Sequence, residues 1–556
     1  MPLLLTTTFL SACGGGDSSD SPLSSPALAA ASSTEPAIAP ALPASEVANA
    51  AEDIPMSDAQ VHRLLNQTTF GPTLSDMNAL VDTKAEDWID AQMQQPASYL
   101  TQGLAEGNQG QWNEYVNAWW RNSIEAPDQL RQRITFALSQ IFVISGQSGF
   151  SEEQYGIANY YDILMRHAFG NFRDLLEEVT LNPIMGEYLS MKGNRKPDPE
   201  LNLRSDENYA REIMQLFTIG LEQLNPDGTV KRDADGVALP TYDQDDIENY
   251  ARVFTGWHYA NVDSFQYPTL KDYITPMQSY PEYHDTDQKT LLNGVVIPAG
   301  QTPEQDLAMA LDSLFNHPNV GPFISKQLIQ RLVTSNPSPE YVRDVAAVFD
   351  SNIDGVRGSL GSTIKAIFMH NEARNGATLN PNTFGKVKEP LLRVTNIWRA
   401  FAPKEIPNGF NYGWVHNELR QSPLNSPTVF NFFRPDFKQP GTLNVQDLAT
   451  PELQIIDESG IITLTNRLVA NTIWSNNFNS NPESHSISIN IDHEMELEPD
   501  PNKLVDHLDR LLLGGTMSAG LREVTLKLIN DTSRASNKVV DSIFLISSSP
   551  EAAIQR

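Results

Sequence analysis

SDENYAREIMQLFTIG, residues Ser205 to Gly220, carries the period of an α-helix. At about 100° per residue, Tyr209, Ala210, Ile213, Met214, Leu216 and Phe217 fill one half of the helical wheel, as a core-facing helix requires. Ser205 is placed to cap the first turn, Asp206 and Glu207 set negative charge at the positive end of the helix dipole, and Gly220 supplies a left-handed stop. The other half carries Glu207, Asn208, Arg211, Glu212, Gln215 and Thr218, with no lysine. Two readings of that polar half stand at this point: a face wetted by solvent, or a row turned toward a pocket. The residues alone favour the wetted face.

The same pattern recurs on both sides of this stretch. SDAQVHRLLNQTTFG from Ser57 is a capped amphipathic helix that stops at Gly71, and DQLRQRITFALSQIFVIS (Asp128–Ser145) has a broad apolar face. Further helices are expected at Asn159–Phe169, Phe172–Thr180, Gln244–Phe254, Pro303–Phe315, Phe323–Leu332, Pro339–Phe349, Leu360–Phe368 and Lys388–Phe401. Strand-like alternation is scarce. EQLNPDGTVKRDADGVALPTY offers Asp227-Gly228 and Asp235-Gly236 as turns of a small hairpin rather than as calcium loops. In QSPLNSPTVFNFFRPDF (Gln421–Phe437), three prolines forbid a long helix, and Phe430, Phe432, Phe433 and Phe437 are expected to be buried. Asn431, Arg434 and Asp436 would then sit on a rigid loop, as a binding site or as the rim of a structural plug. The fold class is mainly α: a multi-helix bundle-like body with one small β-hairpin and an irregular Pro/Phe-rich loop.

With 556 residues, 40% of them hydrophobic, the chain can bury a large core. Its formal charge of −30 repels nucleic acid and anionic lipid surfaces, so no nucleic-acid partner is expected. No run approaches the roughly 20 apolar residues of a transmembrane helix. The one cysteine is Cys13, at the end of LLLTTTFLSAC, which resembles the bacterial lipobox. That resemblance implies cleavage before Cys13 and acylation of its thiol. No Lys or Arg precedes the run, which suggests a start codon upstream of Met1. The Ser/Ala/Pro/Gly-rich residues that follow cannot form a core and read as a tether. The expected organisation is a signal segment at 1–12, the lipidated cysteine and tether at 13–56, and a helical main domain at 57–475. A polar linker and a C-terminal helical unit packed on the main domain complete it at 476–556.

No Walker loop, dinucleotide-binding glycine motif, nucleophile elbow, HExxH or CxxC occurs, and the ten histidines show no metal-ligand spacing, so no metal or cofactor is expected. The adjacent His284 and Asp285 could belong to a metal site only with partners that the sequence does not identify. Lys289 nearby would oppose a cation, so a hydrogen-bonded loop is preferred.

Six segments occur in the order found in the domain-of-unknown-function 1800 (DUF1800) family, whose members are secreted or envelope proteins of bacteria. They are RLLNQTTFGPT, NPIMGEYLSMKGNRK, SDENYAREIMQLFTIG, DDIENYARVFTGW, HDTDQKTLLNG and QSPLNSPTVFNFFRPD. The chain resembles that family from about Ser57 to its C-terminus. The family pattern NENxARExxELFTxG falls on Asp206, Glu207, Asn208, Arg211, Glu212, Gln215, Phe217, Thr218 and Gly220, with Asp206 for Asn and Gln215 for Glu. Any role needing a carboxylate at 215 is therefore lost. With the pattern on the polar row, a buried or cleft-facing network becomes the preferred reading, containing Glu207–Arg211 and Asn208–Glu212 pairs at i,i+4.

The resemblance implies an envelope protein, lipid-anchored at Cys13 with the outer membrane expected. A sulfatase-like companion of the domain-of-unknown-function 1501 family is an expected partner. Two activities remain open. One is a binding or assembly protein acting with an envelope partner on an exported polymer or protein. The other is a hydrolase using Glu207 or Glu212 as general acid or base, with Arg211 stabilising an anion. Candidate catalytic residues are Glu207, Arg211 and Glu212. Candidate binding residues are Asn208, Gln215, Trp257, His284, Asp285, Asn431 and Arg434.

Overall fold

The computed structural model describes residues 47–104, 114–405, 418–470 and 487–556. Cys13, the signal segment and residues 14–46 of the tether lie outside them. The described residues are mainly α. Helices at Phe172–Leu181, Gln244–Val253, Pro303–Phe315, Val320–Leu332, Pro339–Asp350, Leu360–Met369 and Pro390–Phe401 match the expected ones within a few residues at either end. Their starts follow local chemistry. Thr302 and Asp243 close capping boxes, and Ser338 accepts the Tyr341 amide, with Pro303 and Pro339 in their first turns.

One hydrophobic core runs through the described chain, from Val47 and Met56 to Ile546. Its central helices are Gln129–Ser139, buried from Gln129 to Leu138, and Leu360–Met369, buried throughout. Trp119, Trp120 and Trp398 are its largest side chains, and the Trp120 and Trp398 rings meet edge-on at 5.3 Å.

Two elements differ from expectation. Glu222–Pro240, Leu224–Val230 and Arg232–Ala238 pair only as isolated bridges, although Gly228 and Gly236 take the left-handed turns the sequence calls for. Among the described residues the continuous β-structure is instead four two-stranded antiparallel ladders, one of which joins Lys386-Val387 to Ile554-Gln555. Of the four phenylalanines of the Pro/Phe-rich loop only Phe433 is buried; Phe432 and Phe437 are half-buried, and Phe430 is 45% exposed. Aromatic residues on an irregular segment bury only as far as backbone satisfaction allows, and here polar anchors do part of the fixing. Gln330 Nε2 donates to the Pro435 carbonyl at 3.2 Å, and Asn336 exchanges two hydrogen bonds with Ala449.

A cluster of buried charge lies where these parts meet. Lys386 Nζ is 3.1 Å from Glu452 and 3.8 Å from Glu389, and it donates to the Arg331 carbonyl at 2.8 Å. Gln140 Nε2 and Gln421 Nε2 each donate to Glu389 Oε2 at 2.6 Å. Arg133 donates to the Arg331 carbonyl at 2.7 Å, and Arg331 to that of Gln140 at 3.1 Å. Burial lowers the Arg331 guanidinium to about 10 against the pull of Glu389 and Glu452, and burial raises Glu452 against the pull of Lys386. Removing one member of such a set strands the others without solvent, at a cost of about 3–5 kcal/mol. Glu389→Ala is therefore expected to lose about that much stability in urea melts, whereas Arg434→Ala, removing an exposed pair with Asp436, should lose less than about 1 kcal/mol.

Candidate functional site

The stretch from Ser205 is not one α-helix. Asn208–Glu212 is a short α-helix that widens into a π-helix over Ile213–Thr218, and Glu207, not Ser205, holds the N-cap position. Asp206 Oδ1 accepts the Asn208 amide, while Ser205 Oγ is buried with no partner in the protein. The wider turn ends where the Ile219 and Gly220 amides both reach the Met214 carbonyl, at 3.0 Å, with Gly220 at φ +72°. A Cβ at 220 would stand 2.8 Å from the Phe323 ring, so glycine is required there twice over. Of the apolar half, Tyr209, Ala210, Ile213, Met214 and Phe217 are buried, and Leu216 is half-buried.

The polar half splits. Asn208 is exposed and Gln215 half-buried, while Glu207 and Arg211 form their expected i,i+4 ion pair at 3.0 Å near the surface. Gln244 Nε2 adds a bond to Glu207 Oε2, also at 3.0 Å. The expected Asn208–Glu212 bond is not made: Glu212 turns inward, 7% exposed, and its Oε2 has no hydrogen-bond partner in the protein. Burial raises the Glu212 carboxyl above its ordinary value, and Arg211 opposes the rise. Burial, with the Glu212 charge behind it, pushes the Tyr188 hydroxyl up to about 12. Tyr242 is pushed up to about 12 by burial, with Arg211 opposing and Glu212 adding, and its hydroxyl is also unpartnered within the protein. Glu212, Tyr188, Tyr242 and Arg211 thus form one electrostatic neighbourhood. The π-helix begins at the residue after Glu212, and such widened turns often occur at functional sites. Tyr188, Tyr242 and Gln244 were invisible to the sequence reading because none shares a periodic pattern with the row they join.

The other candidates stand apart from Glu212 in the bonds they make. Trp257 is buried on a two-residue strand, its Nε1 without a protein partner. Asn431 is buried at φ +65° with its Nδ2 unbonded within the protein, while Arg434 is exposed and paired with Asp436. His284 and Asp285 lie in the hydrogen-bonded loop that was preferred for them. Arg252 grips Asp285 with two bonds of 2.9 Å, and Asp285 accepts Asp287 N–H. Burial alone would raise the Asp285 carboxyl, but Arg252 and Lys289 outweigh it and hold it low. His284 Nε2 is 3.1 Å from Asp306 Oδ2, and Lys289 Nζ is 2.7 Å from the same oxygen. An ammonium therefore stands against these carboxylates. Among the described residues no three His, Cys, Asp or Glu side chains are grouped as metal ligands. Surface grooves of about 320 Å³ beside Val342 and about 570 Å³ along Ala519–Asp531 lie away from all these residues.

The family model described as "Protein of unknown function (DUF1800)" matches residues 63–554, and the chain belongs to that family. No curated protein and no solved structure matches the chain.

Two substitutions separate the halves of the row. The Arg211–Glu207 pair is solvent-screened, so Arg211→Ala should cost less than about 1 kcal/mol in thermal or urea melts. Glu212 has a folded-state pKa above its unfolded value, so as pH rises the unfolded chain ionises first and wild-type stability falls. Glu212→Gln should therefore match wild type below about pH 4, then become the more stable protein as pH rises through the ordinary Glu range.

Proposed function

We propose that this DUF1800 protein is an envelope binding protein that holds a segment of an exported polymer or protein against the Glu212 row. One observation carries the reading. Glu212 is a buried carboxylate with an oxygen that no protein group bonds, and the Tyr242 hydroxyl, which the Glu212 charge helps to raise, is unbonded too. Leaving a buried polar group unbonded costs about 1–3 kcal/mol, so an unbonded acceptor and an unbonded donor in one electrostatic neighbourhood favour a ligand that bonds both. Arg211, Glu207 and Gln244 add directed donors and acceptors next to them.

The bonds the row makes are those of Arg211 and Gln244 to Glu207, and no nucleophile–base pair forms there among the described residues. That supports binding over turnover. The raised Glu212 carboxyl favours one second reading, a hydrolase in which protonated Glu212 is the general acid and Arg211 the anion stabiliser. In this proposal the protein is anchored at Cys13 in the outer membrane, and a sulfatase-like protein of the domain-of-unknown-function 1501 family is its companion. No helix among the described residues is long and apolar enough to cross a membrane.

Envelope extract passed over immobilised protein tests the site. Wild type is expected to retain a polymer or protein component that Glu212→Gln/Tyr242→Phe retains at least tenfold more weakly, about 1.4 kcal/mol of binding. Equal retention by both would remove the row from binding. Turnover of an envelope polymer, lost in Glu212→Gln and falling as pH rises past the Glu212 pKa, would instead select the hydrolase. Cys13→Ser is expected to move the protein from the membrane to the soluble envelope fraction. A wild type that is already soluble and carries no acyl mass would remove the anchor.

A further inference from the structure

Lys289 and Asp306 are among the most deeply buried ions of the chain, with side chains 1% and 0% exposed. Lys289 opens a two-residue strand in the HDTDQKTLLNG segment, and Asp306 lies in the first turn of the helix Pro303–Phe315. Their surroundings fix the ammonium in one direction. Two of its N–H bonds go to the carbonyls of Asp285 and Asp287, at 2.6 and 3.0 Å, and the third points at Asp306 Oδ2, 2.7 Å away. A second acid, Asp285, stands 3.5 Å from the same nitrogen. His284 completes the set: its Nδ1 is 2.9 Å from the Thr255 carbonyl, which can only accept, and its Nε2 lies 3.1 Å from Asp306 Oδ2. Asp306 Oδ1 bonds to nothing in the protein.

An ordinary ion pair could occupy such a place, but it would bear the full desolvation cost of two ions in a site closed to water. Condensing the pair to an amide removes both charges. The geometry points to an intramolecular isopeptide bond between Lys289 Nζ and Asp306 Cγ, formed spontaneously in the folded protein.

The step balances without any external reagent. A proton crosses from Nζ to Oδ2 along their hydrogen bond, leaving a neutral amine held by two carbonyls and a neutral carboxyl group. The nitrogen lone pair forms the N–Cγ bond, and negative charge gathers on Oδ1. The Asp285 carboxylate takes a second proton from the nitrogen and gives it up to Oδ2 as the Cγ–Oδ2 bond breaks. His284 Nε2 holds the departing oxygen meanwhile. Oδ2 leaves as water, Oδ1 becomes the amide carbonyl, and Asp285 and His284 end as they began. Ammonium and carboxylate have become an amide and one water. No nucleophile is exposed to solvent, so the reaction is confined to this pair. Asp285 and His284 act here as proton-handling groups, which the Arg252 clamp on Asp285 keeps in place.

Peptide mapping of the purified full-length protein after complete denaturation tests this directly. The expected result is a single tryptic peptide, Asp272–Lys326, uncut after Lys289 and lighter than its linear mass by one water, which cleavage after Glu304 opens into two chains joined through Lys289 and Asp306. Recovery of a free peptide ending at Lys289 together with an unmodified Asp306 peptide, in yields equal to other peptides, would overturn the proposal. Asp306→Asn is expected to form the same link with loss of ammonia in place of water, and Lys289→Arg to form none. The wild-type map decides the question even if a variant does not fold.

Discussion

Buried charge that is compensated in place is the constraint on which the rest of this structure depends. Arg133, Arg331, the neighbouring Lys386 and Glu389, and Glu452 come from four separate segments of the sequence, and each would be intolerable in the interior alone. Together they hold the chain's least regular parts to its most regular ones. Glu389 stands just before the helix Pro390–Phe401 and accepts from Gln421, at the start of the Pro/Phe-rich loop, while Glu452, beyond that loop, pairs with Lys386. The C-terminus reaches the same place. Ile554-Gln555 pairs with Lys386-Val387, and Gln555 Nε2 donates to the carbonyls of Leu332 and Val333, the first of them the last residue of a core helix. Apolar packing alone would leave these irregular strands free to slide; a set of ions with fixed partners does not.

Against that background Glu212 is the exception. The buried acids at 285, 389 and 452 each face a cation within 4 Å, and those at 128, 162 and 372 accept hydrogen bonds from backbone amides. Glu212 has no such contact: its nearest cation, Arg211, bonds outward to Glu207, and its neighbours are two phenols. Of these buried acids, Glu212 is the one given neither a cation within 4 Å nor a hydrogen-bond donor, which is the condition the proposed ligand would relieve.

The helices were legible in the sequence because burial of one face writes a period into it, and because caps such as Thr302 and Asp243 and the stop at Gly220 are local chemistry. The polar assemblies were legible only in part. Glu207–Arg211 lies within one turn and could be read; Tyr188, Tyr242 and Gln244 reach the row from other elements and could not. His284, Asp285 and Lys289 are close in sequence, but Asp306, which joins them into one network, sits a helix away as an apparently ordinary first-turn acid. The inward turn of Glu212 had no signal either. A π-helix shifts every later residue around the axis, so a wheel drawn at the α period misplaces the residues beyond it.

The most direct measurement is the titration of the Glu212 carboxyl itself, read as the difference between carboxyl spectra of the folded wild type and Glu212→Gln. The expected result is a midpoint above the ordinary Glu value of about 4.3, because burial without a committed cation disfavours the charge. A midpoint at or below that value would contradict it, since the carboxylate would then already be solvated or paired, with nothing left for a ligand to satisfy.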